Sequence, residues 1–133
     1  MPLNELIGIA NQFLLGANQE STLLALDVAG SSLLTAASCG DSPLYLVRDG
    51  QVEQVNEITK PRLGNLLPGI RYLSFPLKTS DVVIGASDGL SLGSHQLLSA
   101  VEQTMRHPER MPEAILQAQR DSWDDVTLVC GVI

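Results

Sequence analysis

Hydrophobic residues near the start of the chain recur every three or four positions, at Leu3, Ile7, Ala10, Phe13 and Leu14. This spacing places them on one face of an α-helix. A glycine and an asparagine then interrupt the pattern, as is typical of a helix end. The pattern therefore predicts one amphipathic helix over residues 3–17.

At residue 21 the period changes to short apolar runs separated by turn residues, which is typical of β-strands. An Asp-Gly pair at residues 49–50 lies between two of these runs and is a strong signal for a β-hairpin. The Gly-Asp-Ser segment at residues 40–42 has two interpretations, an active-site aspartate at Asp41 or another tight hairpin capped by that side chain. We therefore predict an antiparallel meander with strands at residues 21–28, 33–39, 43–47 and 51–55.

The second half of the chain begins with a polar segment, residues 56–69, that holds two prolines and two glycines. Such a composition predicts a long surface loop. Beyond it, two apolar runs predict strands, and residues at helical spacing predict two helices, the second with Pro112 in its first turn. The last residues are apolar enough to predict a strand in the centre of a sheet. The predicted strands cover residues 71–77, 81–87 and 124–133, and the helices cover residues 94–105 and 112–120.

Together these elements predict an α+β fold, a layered antiparallel β-sandwich flanked by helices, with about six to seven mainly antiparallel strands and three helices. The chain has 133 residues, which suits one domain, and 44% of them are hydrophobic, which is enough for a packed core. No internal repeat, low-complexity tract or linker divides the sequence. Residues 1–133 are therefore predicted to form a single domain.

The charge of the chain excludes some classes of partner. Fifteen acidic side chains against eight basic ones give a net charge of −7, which repels nucleic acid and anionic membrane surfaces. No apolar run reaches the ~20 residues that a membrane span needs, and the first residues do not resemble a signal peptide. We therefore expect a cytoplasmic protein, in which Cys39 and Cys130 are buried free thiols.

Most of the titratable side chains have structural explanations. Asp27, Asp49 and Asp81 lie beside predicted turns, where aspartate side chains bond nearby backbone amides. His95 and His107 lie in polar segments at helix ends, without a Cys or Ser nucleophile at a recognisable spacing, so both are expected to be exposed.

Three aspartates differ because of the strands beside them. Asp88 follows the end of a buried strand, and Asp124 and Asp125 precede the start of another. If these strands are antiparallel neighbours, the carboxylates meet at one edge of the sheet, where they repel each other unless a cation neutralises them. Oxygen ligands of this kind suit Mg²⁺ or Mn²⁺ better than zinc. The residues alone leave two interpretations open, a divalent metal site and ordinary turn capping.

The order of three motifs resembles a known family. Residues 21–52 resemble the middle of the metal-dependent type 2C serine/threonine protein phosphatases (the PPM family), with their Gly-Asp-Ser-Arg and Arg-Asp-Gly turns. Residues 81–91, with Ser-Asp-Gly, are similar to a metal-binding motif of that family. Residues 124–133 are similar to its closing Asp-Asn-Val-Thr strand. The resemblance covers about residues 21 to 133 and supports a truncated phosphatase fold.

The resemblance implies a metal-dependent activity. It implies that Asp88 and Asp124 bind Mg²⁺ or Mn²⁺, with Asp125 as a reserve ligand. In the family, two ions hold a water that attacks the phosphorus of phosphoserine or phosphothreonine. Because this chemistry needs no covalent nucleophile, no catalytic side chain and no organic cofactor are assigned.

The chain departs from the family pattern in ways that affect this expectation. Pro43 replaces an arginine after Gly-Asp-Ser, and Asp125 replaces an asparagine. Asp125 and the segment at residues 63–69 resemble the sequences of one branch of the family, the phosphatases that act on regulators of bacterial sigma factors. The family also begins with a region that carries an acidic ligand, a phosphate-binding arginine and an Ala-Asp-Gly-Met-Gly-Gly turn whose aspartate bridges the two ions. None of these occurs here.

The sequence therefore predicts the second half of a phosphoserine/phosphothreonine phosphatase-like domain, whose Mg²⁺ or Mn²⁺ centre is incomplete and inactive in the isolated chain. The alternative is a non-catalytic pseudophosphatase that acts as a protein-binding or regulatory module. Because missing strands would leave sheet edges and apolar faces uncovered, we expect a partner, either a second copy in a homodimer or a complementing chain. The other expected partner is a phosphoprotein or a regulatory protein.

Overall fold

The computed structural model describes residues 2–30, 32–119 and 125–133. These residues form two compact units, which are described separately. The first unit consists of Met1–Ser42 and Asn56–Pro76, and the second of Pro43–Val55 and Leu77–Ile133. In chain order the elements are α1 (Leu3–Gly16), β1 (Leu23–Ala29), β2 (Leu33–Cys39), β3 (Leu44–Arg48), β4 (Gln51–Gln54), β5 (Arg71–Pro76), β6 (Val82–Ala86), α2 (Ser94–Thr104), a short 3₁₀ turn (Pro108–Arg110), α3 (Met111–Ala118) and β7 (Leu128–Val132).

The first unit is a three-stranded antiparallel sheet in the order β1-β2-β5, with α1 packed on one face. Alternate residues of β2 point to opposite faces of the sheet. Ala37 and Cys39 of β2 belong to the same buried apolar cluster as Ile7 of α1. The apolar residues of α1 thus pack the helix against one face of this sheet.

A buried asparagine of α1 holds the long loop that follows β4. The Nδ2 of Asn11 donates to the backbone oxygen of Asn65 at 3.0 Å, and its Oδ1 accepts from the backbone N–H of Gly64 at 2.6 Å. Gly64 has φ +99°, and a Cβ there would lie 2.1 Å from the backbone oxygen of Gln19. Only glycine fits this position, since any other side chain would clash with backbone.

The second unit is a four-stranded antiparallel sheet in the order β4-β3-β6-β7. Asp49 and Gly50 have φ 52° and 72°, as the tight turn between β3 and β4 requires, which confirms the predicted hairpin. Helices α2 and α3 pack against one face of this sheet. The buried residues of this core are Val47, Val82, Ile84, Ala86, Leu90, Leu97, Ala100, Val101, Met111 and Ile115.

A partly buried ion pair joins two turns of the second unit. The Nε and Nη2 of Arg48 donate to the two carboxylate oxygens of Asp81 at 2.9 and 2.6 Å. Asp81 also accepts from the backbone N–H of Lys78 at 2.7 Å, and its backbone oxygen accepts from the N–H of Ile133 at 3.0 Å. The Asp81 side chain is 2% exposed and that of Arg48 is 27% exposed. This aspartate therefore fixes the start of β6 against β3 and the chain end.

The α+β fold, with two antiparallel sheets, seven strands and three α-helices among the described residues, confirms the predicted class. The predicted helix over residues 3–17 ends one residue earlier. The described residues include no helix long and apolar enough to cross a membrane. The single domain over residues 1–133 stays a prediction.

Three predictions about the arrangement of the strands are wrong. Strands β1 to β4 do not form one meander, because β2 pairs with β5 and β3 pairs with β6. Residues 40–42 therefore connect two sheets and are not a hairpin, and the backbone N–H of Gly40 donates to Thr59 Oγ1 at 3.0 Å. Strand β7 lies at the edge of its sheet and not in the centre, and Val129 is 58% exposed.

We expect Asp81→Asn to lower the free energy of unfolding near pH 7 by about 1 to 2 kcal/mol, because an amide replaces the buried carboxylate that accepts hydrogen bonds from Arg48 and Lys78. The hydrogen bond from Arg48 holds the pKa of Asp81 below its usual value. Its contribution to stability is therefore present above the unfolded-state pKa of about 4 and is lost as pH falls through the lower folded-state pKa.

Urea denaturation at pH 7 and at about pH 3 measures this effect. The difference between the wild type and Asp81→Asn should be smaller at the lower pH. Asp27→Asn, which changes an exposed aspartate, is the control and should be near neutral at both. An Asp81→Asn variant as stable as the wild type at pH 7 would contradict a stabilising role for the ion pair.

Candidate metal site

The Ser-Asp-Gly motif forms a turn directly after a buried strand. All five residues of β6 are buried, and the chain then turns, with the backbone N–H of Leu90 3.3 Å from the backbone oxygen of Ser87. Leu90 is buried in the core of the second unit, whereas Asp88 is exposed. The turn therefore presents the Asp88 carboxylate at the end of β6, which is a buried inner strand of the sheet.

The pairing of β6 with β7 brings a second carboxylate to this end of the sheet. Ala86 is paired with Leu128 in antiparallel register, and the backbone N–H of Ser87 donates to the backbone oxygen of Thr127 at 2.8 Å. The backbone N–H of Thr127 donates to Ser87 Oγ at 3.0 Å. Asp88 follows one strand and Asp125 precedes the other, so both lie at the same end.

This pairing confirms the expectation that the two strands are antiparallel neighbours. Asp125 is exposed, like Asp88. Asp124, the other predicted ligand, lies outside the described residues. Metal coordination by Asp88, Asp124 and Asp125 stays a prediction.

Gln119 is a part of this site that sequence reasoning missed. It directly follows α3 and is 8% exposed. Its Oε1 accepts from the backbone N–H of Ser91 at 2.7 Å, and its Nε2 donates to the backbone oxygen of Gly89 at 2.7 Å. Met111, Ile115 and Gln119 share one helix face at a spacing of four residues, so a polar residue at an inward-facing position was the available signal.

The chemistry of the donor set suits a hard divalent cation. Carboxylate oxygens are preferred ligands of Mg²⁺ and Mn²⁺. Within residues 2–30, 32–119 and 125–133, no basic side chain forms an ion pair with Asp88 or Asp125, and no cluster of three or more His, Cys, Asp or Glu side chains could hold a metal ion. Among the described residues, Asp88 and Asp125 are therefore the carboxylates of suitable chemistry at this end of the β6–β7 pair.

The cysteines and histidines do not form an alternative catalytic centre. Burial raises the pKa of the Cys39 thiol, and it raises that of Cys130 to about 11, so both stay protonated near neutral pH. The prediction of free thiols is confirmed, although Cys130 is only partly buried. His95 and His107 are exposed, as expected, and His107 Nδ1 lies 3.5 Å from Glu109 Oε1.

Asp41 in the first unit has a distinctive environment. Its Oδ1 is buried and accepts no hydrogen bond from the part of the chain that the structure describes. Its Oδ2 lies 3.8 Å from Nη2 of Arg62, which is a weak, partly exposed contact. Asp41 is therefore not the cap of a tight hairpin that the sequence predicted.

A family model covers almost the whole chain. The model of the family described as Stage II sporulation protein E (SpoIIE) matches residues 1–131. No curated protein matches the chain.

Solved serine/threonine phosphatases share the fold. A serine/threonine phosphatase of S. agalactiae superposes with a TM-score of 0.79 at 18% identity, over 99% of this chain and 73% of that one. The PPM Ser-Thr phosphatase MsPP of Mycobacterium smegmatis, in complex with cacodylate, gives 0.77 at 22% identity, over 96% and 71%. The catalytic domain of the serine/threonine protein phosphatase PstP, in complex with two manganese ions, gives 0.67 at 22% identity, over 95% and 66%.

These superpositions show a shared fold. The chain spans 66 to 73% of the length of these three solved chains, so it corresponds to part of each of them. The predicted type 2C phosphatase resemblance is thereby confirmed at the level of the fold.

Proposed function

Because the chain belongs to the Stage II sporulation protein E (SpoIIE) family, we propose that it is a phosphoserine/phosphothreonine phosphatase-like domain that uses Mg²⁺ or Mn²⁺. Its fold is that of the PPM serine/threonine phosphatases. Among these, the PstP catalytic domain was solved with two manganese ions. The proposed substrate class is a phosphoprotein of a bacterial signalling pathway, and the proposed location is the cytoplasm.

The observation that carries this proposal is the shared position of Asp88 and Asp125 at one end of the β6–β7 pair. Asp88, Asp124 and Asp125 would hold the ion, with Asp125 as the reserve ligand. A bound ion of this kind offsets negative charge on phosphoryl oxygens and activates water. The contribution of this chain is to bring Asp88 and Asp125 to one end of a strand pair, since Asp88 follows β6 and Asp125 precedes β7.

We propose that the 133-residue chain is inactive when it is assayed by itself. The family chemistry needs a pair of ions bridged by a carboxylate, and the sequence lacks the Ala-Asp-Gly-Met-Gly-Gly turn that supplies it. One incomplete ion site cannot both orient a water and stabilise the charge that develops on the phosphoryl group.

A second candidate function is that of a non-catalytic pseudophosphatase, a protein-binding or regulatory module. The observation that favours it is the exposed apolar surface at Leu66 and Leu67, which a partner protein could cover. Metal binding separates the two candidates, since a purely protein-binding module has no need of the ion.

We also propose that the chain associates with a second polypeptide, most simply another copy in a homodimer. The first unit exposes large apolar side chains, with Leu66 at 87%, Leu67 at 84% and Phe13 at 75% exposure. Both β1 and β5 are edge strands in its sheet. Such surfaces are rarely left uncovered on a soluble monomer.

We expect Mn²⁺ to bind weakly and Asp88→Asn to reduce or abolish the binding, because an amide oxygen lacks the charge of a carboxylate. Isothermal titration calorimetry with Mn²⁺ on the two proteins measures this. Asp49→Asn, which alters an exposed aspartate in the hairpin turn, is the matched control and should bind as the wild type does. Equal heats from the wild type and Asp88→Asn would remove the metal proposal.

We expect the isolated chain to show no significant hydrolysis of p-nitrophenyl phosphate with Mn²⁺, since the bridging carboxylate is absent from its sequence. The assay follows p-nitrophenolate release over several hours, with Asp88→Asn as the background. Robust hydrolysis that disappears in this variant would contradict the proposed inactivity and show that another group completes the centre.

We expect the chain to sediment as a species larger than its 14.3 kDa monomer at micromolar concentration. Replacing both Leu66 and Leu67 with serine should shift the equilibrium toward monomer, because it removes apolar surface that association would bury. Sedimentation equilibrium measures both proteins. A cooperatively folded wild-type monomer would contradict the proposed homodimer.

A further inference from the structure

We propose that Gln119 is a positioning residue that fixes the turn carrying Asp88 and so prepares this carboxylate for a divalent cation. The inference rests on the proposed metal function and assigns a role to a residue outside the expected ligand set. It begins from a side chain that is almost fully buried and makes two short hydrogen bonds to one turn.

The two hydrogen bonds need an amide side chain. Gln119 donates through Nε2 to Gly89 and accepts through Oε1 from Ser91, each at 2.7 Å. Among uncharged side chains, only Asn and Gln carry a donor and an acceptor side by side in this way. Asn is one methylene shorter and could not reach both atoms from the same backbone position. The amide therefore closes the turn around Leu90 and satisfies two backbone groups at once.

The backbone that carries Gln119 is itself firmly held. Met111 and Ile115, which precede Gln119 on the same helix face, are both 0% exposed and belong to the core of the second unit. The backbone N–H of Gln119 donates to the backbone oxygen of Leu116 at 3.1 Å. The Gln119 amide thus extends from the end of a packed helix, and its two hydrogen bonds hold the turn against that helix.

Asp88 lies between two fixed points as a result. On one side, Ser87 is bonded to Thr127 through both backbone and side chain. On the other side, Gly89 and Ser91 are bonded to Gln119. The Asp88 carboxylate itself is exposed, so these contacts fix its backbone without occupying its oxygens. The contacts therefore support the proposed ligand through its backbone neighbours.

The test measures Mn²⁺ affinity and local protection in Gln119→Met and Gln119→Glu. Gln119→Met keeps the approximate size of the side chain and loses both hydrogen bonds. Gln119→Glu keeps the acceptor and loses the donor to Gly89, so it stays informative if the first variant does not fold. Because loss of a supporting contact typically weakens metal binding by about 10- to 100-fold, we expect at least a tenfold rise in the Mn²⁺ dissociation constant.

Two controls separate positioning from general destabilisation. Gln117→Met changes an exposed residue of the same helix, whose Nε2 bonds Glu113 at 3.3 Å, and should leave affinity unchanged. Ile7→Val weakens the core of the first unit, which contains neither the turn nor α3, and should lower stability with little change in affinity. Amide hydrogen exchange should show loss of protection at Ser91 in the Gln119 variants and not in Gln117→Met.

The outcomes distinguish this inference from the proposed function. Weaker Mn²⁺ binding and a faster Ser91 amide in the Gln119 variants, with unchanged affinity in both controls, would support the positioning role. Wild-type affinity in folded Gln119 variants would overturn it while the metal function stands. A wild-type chain that binds no Mn²⁺ would overturn the proposed function and this inference with it.

Discussion

The antiparallel pairing of β6 with β7 is the constraint on which the candidate site depends. In this register Ala86, Ile84 and Val82 are paired with Leu128, Cys130 and Val132, and both sets of side chains pack on the helix-covered core. A slip of one residue would turn the β7 set to the opposite face. The core therefore specifies the register, and the register places Asp125 at the same end as Asp88.

The opposite end of this strand pair is held by Asp81. Its backbone oxygen accepts from Ile133, while its carboxylate accepts from Arg48 and Lys78. Although a buried ion pair contributes little net stability compared with apolar packing, its geometry is directional. The Arg48–Asp81 ion pair fixes one end of β6, and the paired apolar residues fix the register along β6 and β7. The position of the other end, where the candidate ligands lie, follows from these two constraints.

The sequence predicted those features that depend on neighbouring residues. The spacing of Ile7 and its helical partners predicted α1, the Asp49-Gly50 pair predicted a hairpin, and a buried strand before Asp88 predicted a carboxylate at a sheet edge. It did not predict that residues 40–42 connect two sheets, because strand partners are chosen by packing between residues far apart in the chain. The contacts of Asn11 and Gln119 were missed for the same reason, since each bonds backbone 28 to 54 residues away.

Because Asp88 and Asp125 are exposed, the fold does not depend on a bound ion. Exposed carboxylates keep most of their hydration, so their mutual repulsion is screened and the fold has no need of a cation to tolerate them. A cation must displace part of that hydration when it binds, and the gain depends on carboxylates already held in place. In this chain the placement comes from the β6–β7 register, which the apolar core specifies, and from the hydrogen bonds of the Gln119 amide, and both exist before any ion arrives.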